Sequence, residues 1–390
     1  MSTPDAIVVG AGVSGLACAR RLREAGLDTL VLEASDGVGG RVRTDEVDGF
    51  RLDRGFQVLP TAYHEARAIL DYERLRLRRF ERGAIVRRAG RFHHVADPRR
   101  APLVALRALG SRLVTPGDAL GVARLLRGSR EETTTREALA AAGLSPAARD
   151  GFLAPFLRGI FLERELSTTS RFLDFVLSTF SAGPAAVPER GMGAIAEQLA
   201  EGADVRLDTT VASVAPRSVR LAGGEELEAR AVVVATAELL DDAPAGWNSV
   251  TCLYFDAPRA PLPGAWLVVD GDGAGPVNNL AVLTEVSPAY GPPGRALVSA
   301  SVIGAGAPDE EAVRRQLAGW FGATVRDWRL IKTYTIEHAL PAWPVGAPLE
   351  RAPRTDGGLY ACGDHRTHPS LNGALRSGCV AAAAVLADLA

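Results

Sequence analysis

The stretch AIVVGAGVSGLACARRLREAGLDTLVLEAS, residues 6–35, constrains this chain more than any other. Ala6 to Val9 form an apolar run without polar alternation, as a strand buried on both faces requires. Gly10, Gly12 and Gly15 then open an amphipathic helix with Leu16, Ala19 and Leu22 on one face. A second apolar run, Thr29 to Leu32, ends at Glu33. Each element has a physical task. Gly10 allows the tight turn, Gly12 lets the backbone approach a pyrophosphate, and Gly15 brings helix against strand. Ser14 lies in the first turn, where free N–H groups and the positive end of the helix dipole favour phosphate. Glu33, 18 residues after Gly15, is placed to accept both hydroxyls of an adenosine ribose and would repel an extra phosphate there. These elements, in this order, predict a dinucleotide-binding unit.

With 390 residues and 47% hydrophobic side chains, the chain can bury the core of one large or two medium domains. A net charge of −2 argues against nucleic acid as a partner. That average hides a basic stretch, since 16 arginines and 5 acids lie between Arg67 and Arg130. Such a run fits either a solvated arginine-rich face or a surface for an anionic membrane or acidic partner. Arginine supplies nearly all the cations, and Lys332 is the one lysine. Cys18, Cys252, Cys362 and Cys379 show no CxxC or zinc spacing and read as small core residues in a reducing compartment. Neither a secretory signal nor a bilayer-spanning apolar run is present, so the expected location is cytoplasmic. No His, Cys and carboxylate cluster has metal spacing, and no metal is expected.

Directly after the ribose acid, SDGVGGRVRT places Gly39, Gly40 and Arg41, then Thr44, and LDRGFQ follows at 52–57. In these residues the chain resembles the flavoprotein superfamily of monoamine and polyamine oxidases, protoporphyrinogen oxidases and phytoene desaturases. The resemblance implies an α/β fold: a Rossmann-like FAD-binding domain of the GR2 type with an inserted α+β substrate domain. It implies that Arg41 supports the FAD diphosphate, and that Gly55 and Gln57 run beside the flavin ring. Family members with covalently attached flavin use a cysteine near Trp343; this chain has none there, so FAD is expected to be non-covalent.

In the same superfamily the chain returns to the nucleotide fold through a strand, Gly-Asp, and a helix aimed at the flavin. LYACGD and SLNGALRSG are similar to that return. Gly363 and Asp364 would form the turn, with Asp364 toward the ribityl or diphosphate part. Asn372, Gly373 and Ala374 would start the helix, small because the isoalloxazine lies against the backbone. VPERGMGAIAEQLAEGADVRLDTTVASVAP resembles the family's Gly-Met helix and a strand whose valine, here Val211, touches the adenine through its main chain. The resemblance covers the chain in three patches, 5–57, 187–237 and 357–385.

Residues 1–63, 185–244 and 341–390 are therefore assigned to a discontinuous FAD-binding domain, and 64–184 with 245–340 to a substrate domain. The 64–184 part reads as largely helical. The 245–340 part alternates in period two, as in VTCLYFD and ALVSASVIG, and predicts one antiparallel sheet interrupted by the helix DEEAVRRQLAGWFG.

Flavins of this superfamily accept hydride at N5. Its amine oxidases usually carry a lysine near N5 on a strand resembling NSVTCLYFDAP, where this chain places Thr251. Lys332 lies instead on RLIKTYTIEHALPAWP, which resembles the porphyrinogen oxidase and desaturase branch. The expected activity is dehydrogenation or desaturation of a small, largely apolar substrate, with electrons passing to oxygen or a quinone. An amine oxidase without the lysine and a redox-neutral flavin isomerase stand as alternatives. Catalytic candidates are His365, Gln57 and Trp343, with His368 beside them; each also fits a purely structural role.

Overall fold

Four consecutive buried side chains make Ala6–Val9 the centre of a five-stranded sheet in the computed structural model of this chain. The structure describes residues 3–96, 113–128, 131–240, 244–306 and 308–390. The central strand pairs in parallel with Thr29–Leu32 and Ala231–Val234, and Asp204–Arg206 and Tyr360–Ala361 lie outside these. Parallel strands covered on both faces need unbroken apolar runs, which is why the inner three read so plainly in the sequence. Ala6 and Val8 pack on helices Val13–Glu24 and Leu371–Leu389, whereas Ile7 and Val9 pack on Val219 and Leu221 of a three-stranded antiparallel sheet. The two helices approach closely because position 378 is glycine. A Cβ there would run into the Ser14 carbonyl oxygen and lie 3.1 Å from the Ala17 Cβ.

A seven-stranded sheet forms the second layer system, in the order Arg329–Pro341, Trp247–Ala257, Ala296–Ile303, Val277–Val282, Leu267–Asp270, Gly83–Arg88 and Arg91–Ala96. Its neighbours are antiparallel except Leu267–Asp270 with Gly83–Arg88, which are parallel. The last two strands correct the reading of 64–184 as largely helical. GAIVRRAGRFHHVA is a hairpin whose turn residues Ala89 and Gly90 are both left-handed, with φ of 48° and 74°, as a two-residue turn between twisted strands requires. Arginines at 87, 88 and 91 mask its apolar pattern. The expected helix after Asp309 is present as Glu310–Phe321. Helices Ala154–Phe161 and Ser170–Ala182 pack together through Leu157, Phe161, Phe172 and Leu173. The first of them meets the sheet at Gly159, where a Cβ would lie 2.9 Å from the Asn279 amide oxygen.

One buried carboxylate ties the nucleotide-binding part to this sheet. Asp53 accepts from the Thr44 hydroxyl at 2.6 Å, the Met192 N–H at 2.8 Å and the Tyr290 hydroxyl at 2.7 Å. Its backbone carbonyl accepts from the Tyr254 hydroxyl at 2.8 Å. Burial drives the carboxyl up to about 6, and the donors only partly oppose it. Between the ordinary carboxylate value of 3.8 and about 6, the folded protein holds a proton that the unfolded chain has released. Stability therefore falls as pH rises through that window, by roughly 3 kcal/mol from this group. Asp53→Asn is neutral throughout, so urea unfolding at several pH values should show wild type losing stability relative to the variant. Parallel pH profiles for the two proteins would disprove this.

Candidate active site

The glycine loop joins the central strand to the first helix. Gly10 turns at φ 104°, and Gly15 sits so close beneath it that a Cβ would strike the Gly10 carbonyl oxygen. Gly12 is the opposite case, since a Cβ there would meet nothing within 4 Å. The helix it caps, Val13–Glu24, has no side-chain cap and no acid in its first turn. Elsewhere the chain caps helices with Thr134, Asp309 and Ser370. The leading N–H groups beside Gly12 are thus left for an acceptor from outside the helix.

Two further segments complete the rim. The Gly39 N–H donates to the Ala11 carbonyl at 2.8 Å with φ at 115°, and a Cβ on Gly40 would lie 3.4 Å from the Gly12 Cα. Glu33 accepts from the Ala11 N–H at 2.7 Å and from the N–H and hydroxyl of Ser35 at 2.9 and 2.7 Å. The Thr209 N–H donates to the Glu33 carbonyl at 2.8 Å, which brings half-buried Val211, two residues on, to the same side. An uncapped helix start, a rim free of Cβ atoms and a carboxylate at the end of the second strand fit an adenine dinucleotide. Gly12, Ser14 and Gly40 would hold its diphosphate by backbone, and Glu33 its ribose.

Arg41 and Asp364, 323 positions apart, also meet. The guanidinium donates to both Asp364 carboxylate oxygens, at 2.9 and 2.7 Å, and to the Ala339 carbonyl at 2.9 Å. It also lies 5.6 Å over the ring of Trp247, which stacks on His338 at 4.8 Å. Sequence reasoning missed both aromatic neighbours. Position 247 opens the strand aligned to the amine oxidase segment, so its nearness to Arg41 was readable only with the strand register in hand. Gln57 braces the same loop, its amide donating to the Arg41 and Arg54 carbonyls at 2.8 and 3.0 Å.

Other expected site residues also make contacts within the chain. The Ser14 side chain is buried against the Cys362 thiol, leaving only its backbone to the cradle. Gly55 lies under Ile336, 3.1 Å from where its Cβ would be. Asn372 is wholly buried, and its amide oxygen accepts from the Glu65 N–H at 3.1 Å. Gly373 is also required by the chain itself. A Cβ there would strike the His368 carbonyl and lie 2.7 Å from the Thr367 hydroxyl, so the turn before the helix is what excludes it. Ala374, next to it, is half-buried. The His365 ring folds under Gly363, and Trp343 is buried with its carbonyl accepting from the Thr169 N–H at 3.0 Å. His368 lies against Phe175 at 4.2 Å with the rings tilted by 40°, and Phe175 stacks on Tyr63 at 5.8 Å. Burial, then the nearby charges of His64 and Arg376, push His368 down to about 4, so the imidazole is neutral at physiological pH.

Two nearby acids, Asp45 and Glu65, are engaged. Against the cost of burial, donors from Arg54, Tyr334 and Lys332 hold Asp45 down at about 2. Glu65 pairs with Arg376 at 3.4 Å. Among the described residues, no group of three or more His, Cys, Asp or Glu could hold a metal ion.

The chain matches the family profile described as flavin containing amine oxidoreductase over residues 13–386. Polyamine oxidase 3 of Oryza sativa subsp. japonica is 47% identical over 53 residues, 14% of this chain and 11% of that protein. Carotenoid 3,4-desaturase of Haloarcula japonica is 47% identical over 55 residues, again 14% of this chain and 11% of the relative. The aligned segments thus span only a small part of these relatives. The crystal structure of a putative protoporphyrinogen oxidase from Exiguobacterium sp. 255-15 covers 100% of both chains with a TM-score of 0.73 at 20% identity, which shows a shared fold. A profile match over nearly the whole chain, on a fold with a Rossmann-like FAD domain, has one consequence: this protein belongs to the flavin-containing amine oxidoreductases.

Proposed function

We propose that this oxidoreductase binds FAD non-covalently and dehydrogenates a carbon–carbon unit of a largely apolar substrate, passing electrons to oxygen or a quinone. The observation that carries this reading is Thr251. By the sequence resemblance it stands where the family's amine oxidases keep their lysine; it is fully buried and points its hydroxyl at the Gly304 and Gly306 carbonyls, 3.1 and 3.2 Å away. The chain's one lysine, Lys332, is drawn away to Asp45 at 3.3 Å and to the ring of Tyr334. Paired acids at Asp364, Asp45 and Glu65 also leave little unbalanced negative charge there for a polycation. Bound FAD would supply the two-electron acceptor, and the protein the positioning and dryness. Arg41 and the uncapped helix would anchor the diphosphate, while neutral His368 and its aromatic stack offer an apolar lining.

Anaerobic mixing with a panel of amines and a panel of polyenes, steroids and tetrapyrroles tests the substrate class. The flavin absorbance should bleach with a member of the second panel and stay oxidised with the amines. Rapid bleaching by an amine would overturn the reading. Acid precipitation should leave the yellow colour in the supernatant; colour retained in the pellet would mean a covalent link.

A further inference from the structure

The arginine-rich run expected from sequence to meet a membrane, residues 67–130, lies partly outside the described residues, at 97–112 and 129–130. No helix among the described residues is long and apolar enough to cross a membrane. The arginine in the most constrained setting is Arg41. A guanidinium is flat and carries five N–H donors. Its Nη1 group donates to the Ala339 carbonyl and to one Asp364 oxygen, at 2.9 Å each, and Nη2 donates to the other Asp364 oxygen at 2.7 Å. That leaves Nε–H and the second Nη2–H, which lie side by side along one edge of the fork. No acceptor among the described residues takes them, and the side chain is 40% exposed. Two parallel donors on one edge match two oxygens of a phosphate.

The direction of that edge depends on the flat face. The guanidinium carbon lies 5.6 Å from the centroid of the Trp247 ring, and Trp247 stacks on His338 at 4.8 Å with the rings 23° apart. The strand that supplies His338 and Ala339 is irregular there. Asn248 faces Leu340 and Val250 faces Ile336, so between these pairs Arg329–Pro341 carries two residues more than Trp247–Ala257. A bulge of this kind re-aims the groups it carries. Here the Ala339 carbonyl meets Arg41 and the His338 ring meets Trp247. Glu238 lies 3.8 Å from His338 and accepts from the Thr236 hydroxyl, so it adds to the field at Arg41 without taking its free donors. Core filling does not account for the stack, because Trp247 is half-buried and His338 is exposed.

We propose that Trp247 is a positioning residue for the cofactor: its ring, braced by His338, fixes the plane of the Arg41 guanidinium so that the unused Nε and Nη2 edge faces the FAD diphosphate. This deepens the function proposed above and rests on Arg41 being the diphosphate anchor there. Hydrogen bonds to Asp364 and Ala339 hold the fork by its end but tolerate tilt. A ring against the flat face removes that tilt and leaves the free edge one direction.

Titrating apoprotein into FAD, followed by flavin fluorescence anisotropy, reads the effect without turnover. Trp247→Leu should weaken FAD binding about fivefold, the scale of a cation–π contact at a partly exposed site. Trp247→Phe keeps a ring face and should recover most of that loss. His338→Ala, at an exposed position where the fold is undisturbed, should weaken binding about twofold. In competition assays ADP, which carries the diphosphate, should lose affinity for Trp247→Leu by the same factor, and adenosine should lose none. In the Arg41→Ala background, Trp247→Leu should change FAD affinity no further. Equal FAD affinity in wild type and Trp247→Leu would overturn the proposal. So would a loss that persists in full without Arg41, because Trp247 would then act on the fold and not through the guanidinium. Wild-type FAD affinity in Arg41→Ala would remove the diphosphate anchor itself and the proposal with it, whereas a loss in Arg41→Ala that Trp247→Leu does not share would remove the proposal alone.

Discussion

Gly12→Ala should purify as a folded but nearly colourless protein, whereas Gly15→Ala should lose both colour and stability. The two glycines stand three residues apart in one motif, yet they meet different surroundings. At Gly12 an added methyl group enters open space, so the apoprotein should melt as the wild type does. That space is the one a diphosphate must enter to reach the uncapped N–H groups of the helix Val13–Glu24. FAD affinity should fall at least about tenfold, since a displaced phosphate loses short, charge-assisted hydrogen bonds. At Gly15 the methyl group would strike the Gly10 carbonyl and lie 3.0 Å from the Ala235 Cβ. Backbone atoms cannot swing aside, so the helix must move off the strand, at about 1–3 kcal/mol for the overpacking. Urea unfolding of both apoproteins and FAD titration by fluorescence quenching check the pair. Wild-type FAD affinity in Gly12→Ala would mean that the cradle is not where the diphosphate sits.

Arg41→Ala should be the second large effect, and it should appear even before any cofactor is added. Asp364 is 5% exposed on its side chain, and Arg41 is its bidentate partner. Removing the partner from a buried carboxylate costs about 3–5 kcal/mol where both groups are buried. The Arg41 side chain is 40% exposed, so water already screens the pair and roughly 2 kcal/mol is expected. Arg41→Lys keeps the charge but not the fork, and should recover only part of the loss. Asp364→Asn should cost less, because it leaves no buried charge behind and Arg41 retains the Ala339 carbonyl. FAD affinity should follow the order wild type, Arg41→Lys, Arg41→Ala. Apo Arg41→Ala as stable as wild type would show that the pair contributes nothing to joining the two chain segments.

Much of the nucleotide fold was legible because its strands have no alternative reading. Ala6–Val9 and Thr29–Leu32 are buried on both faces, so nearly every residue had to be apolar, and the observed bounds match those read from the sequence. The hairpin at 83–96 was hidden because arginine is long enough to keep its charge in water while its stem lies on a strand, which breaks the apolar pattern without breaking the strand. Contacts between distant segments were beyond reach for another reason. Asp53 meets Tyr290 across 237 positions, and nothing local marks either residue as a partner of the other. The small residues of the C-terminal helix were read as room for the flavin, and the chain's own contacts also call for some of them. What approaches Gly373 is the chain's own turn, and what approaches Gly378 is the first helix, because a missing side chain reveals that space is short but not what fills it.

The contact of Gly378 with the first helix also governs how such a molecule can be made. Synthesis delivers Val13–Glu24 early, but its covering helix and the edge strand Tyr360–Ala361 come only after more than three hundred further residues. Until then Ala231–Val234 lacks its outer neighbour and the first helix keeps a greasy flank open to water. A nascent chain on the ribosome must therefore be shielded or held loosely, and assembly is slow wherever distant pairings decide it. The Arg41–Asp364 pair, likewise, cannot form until the last strand is made.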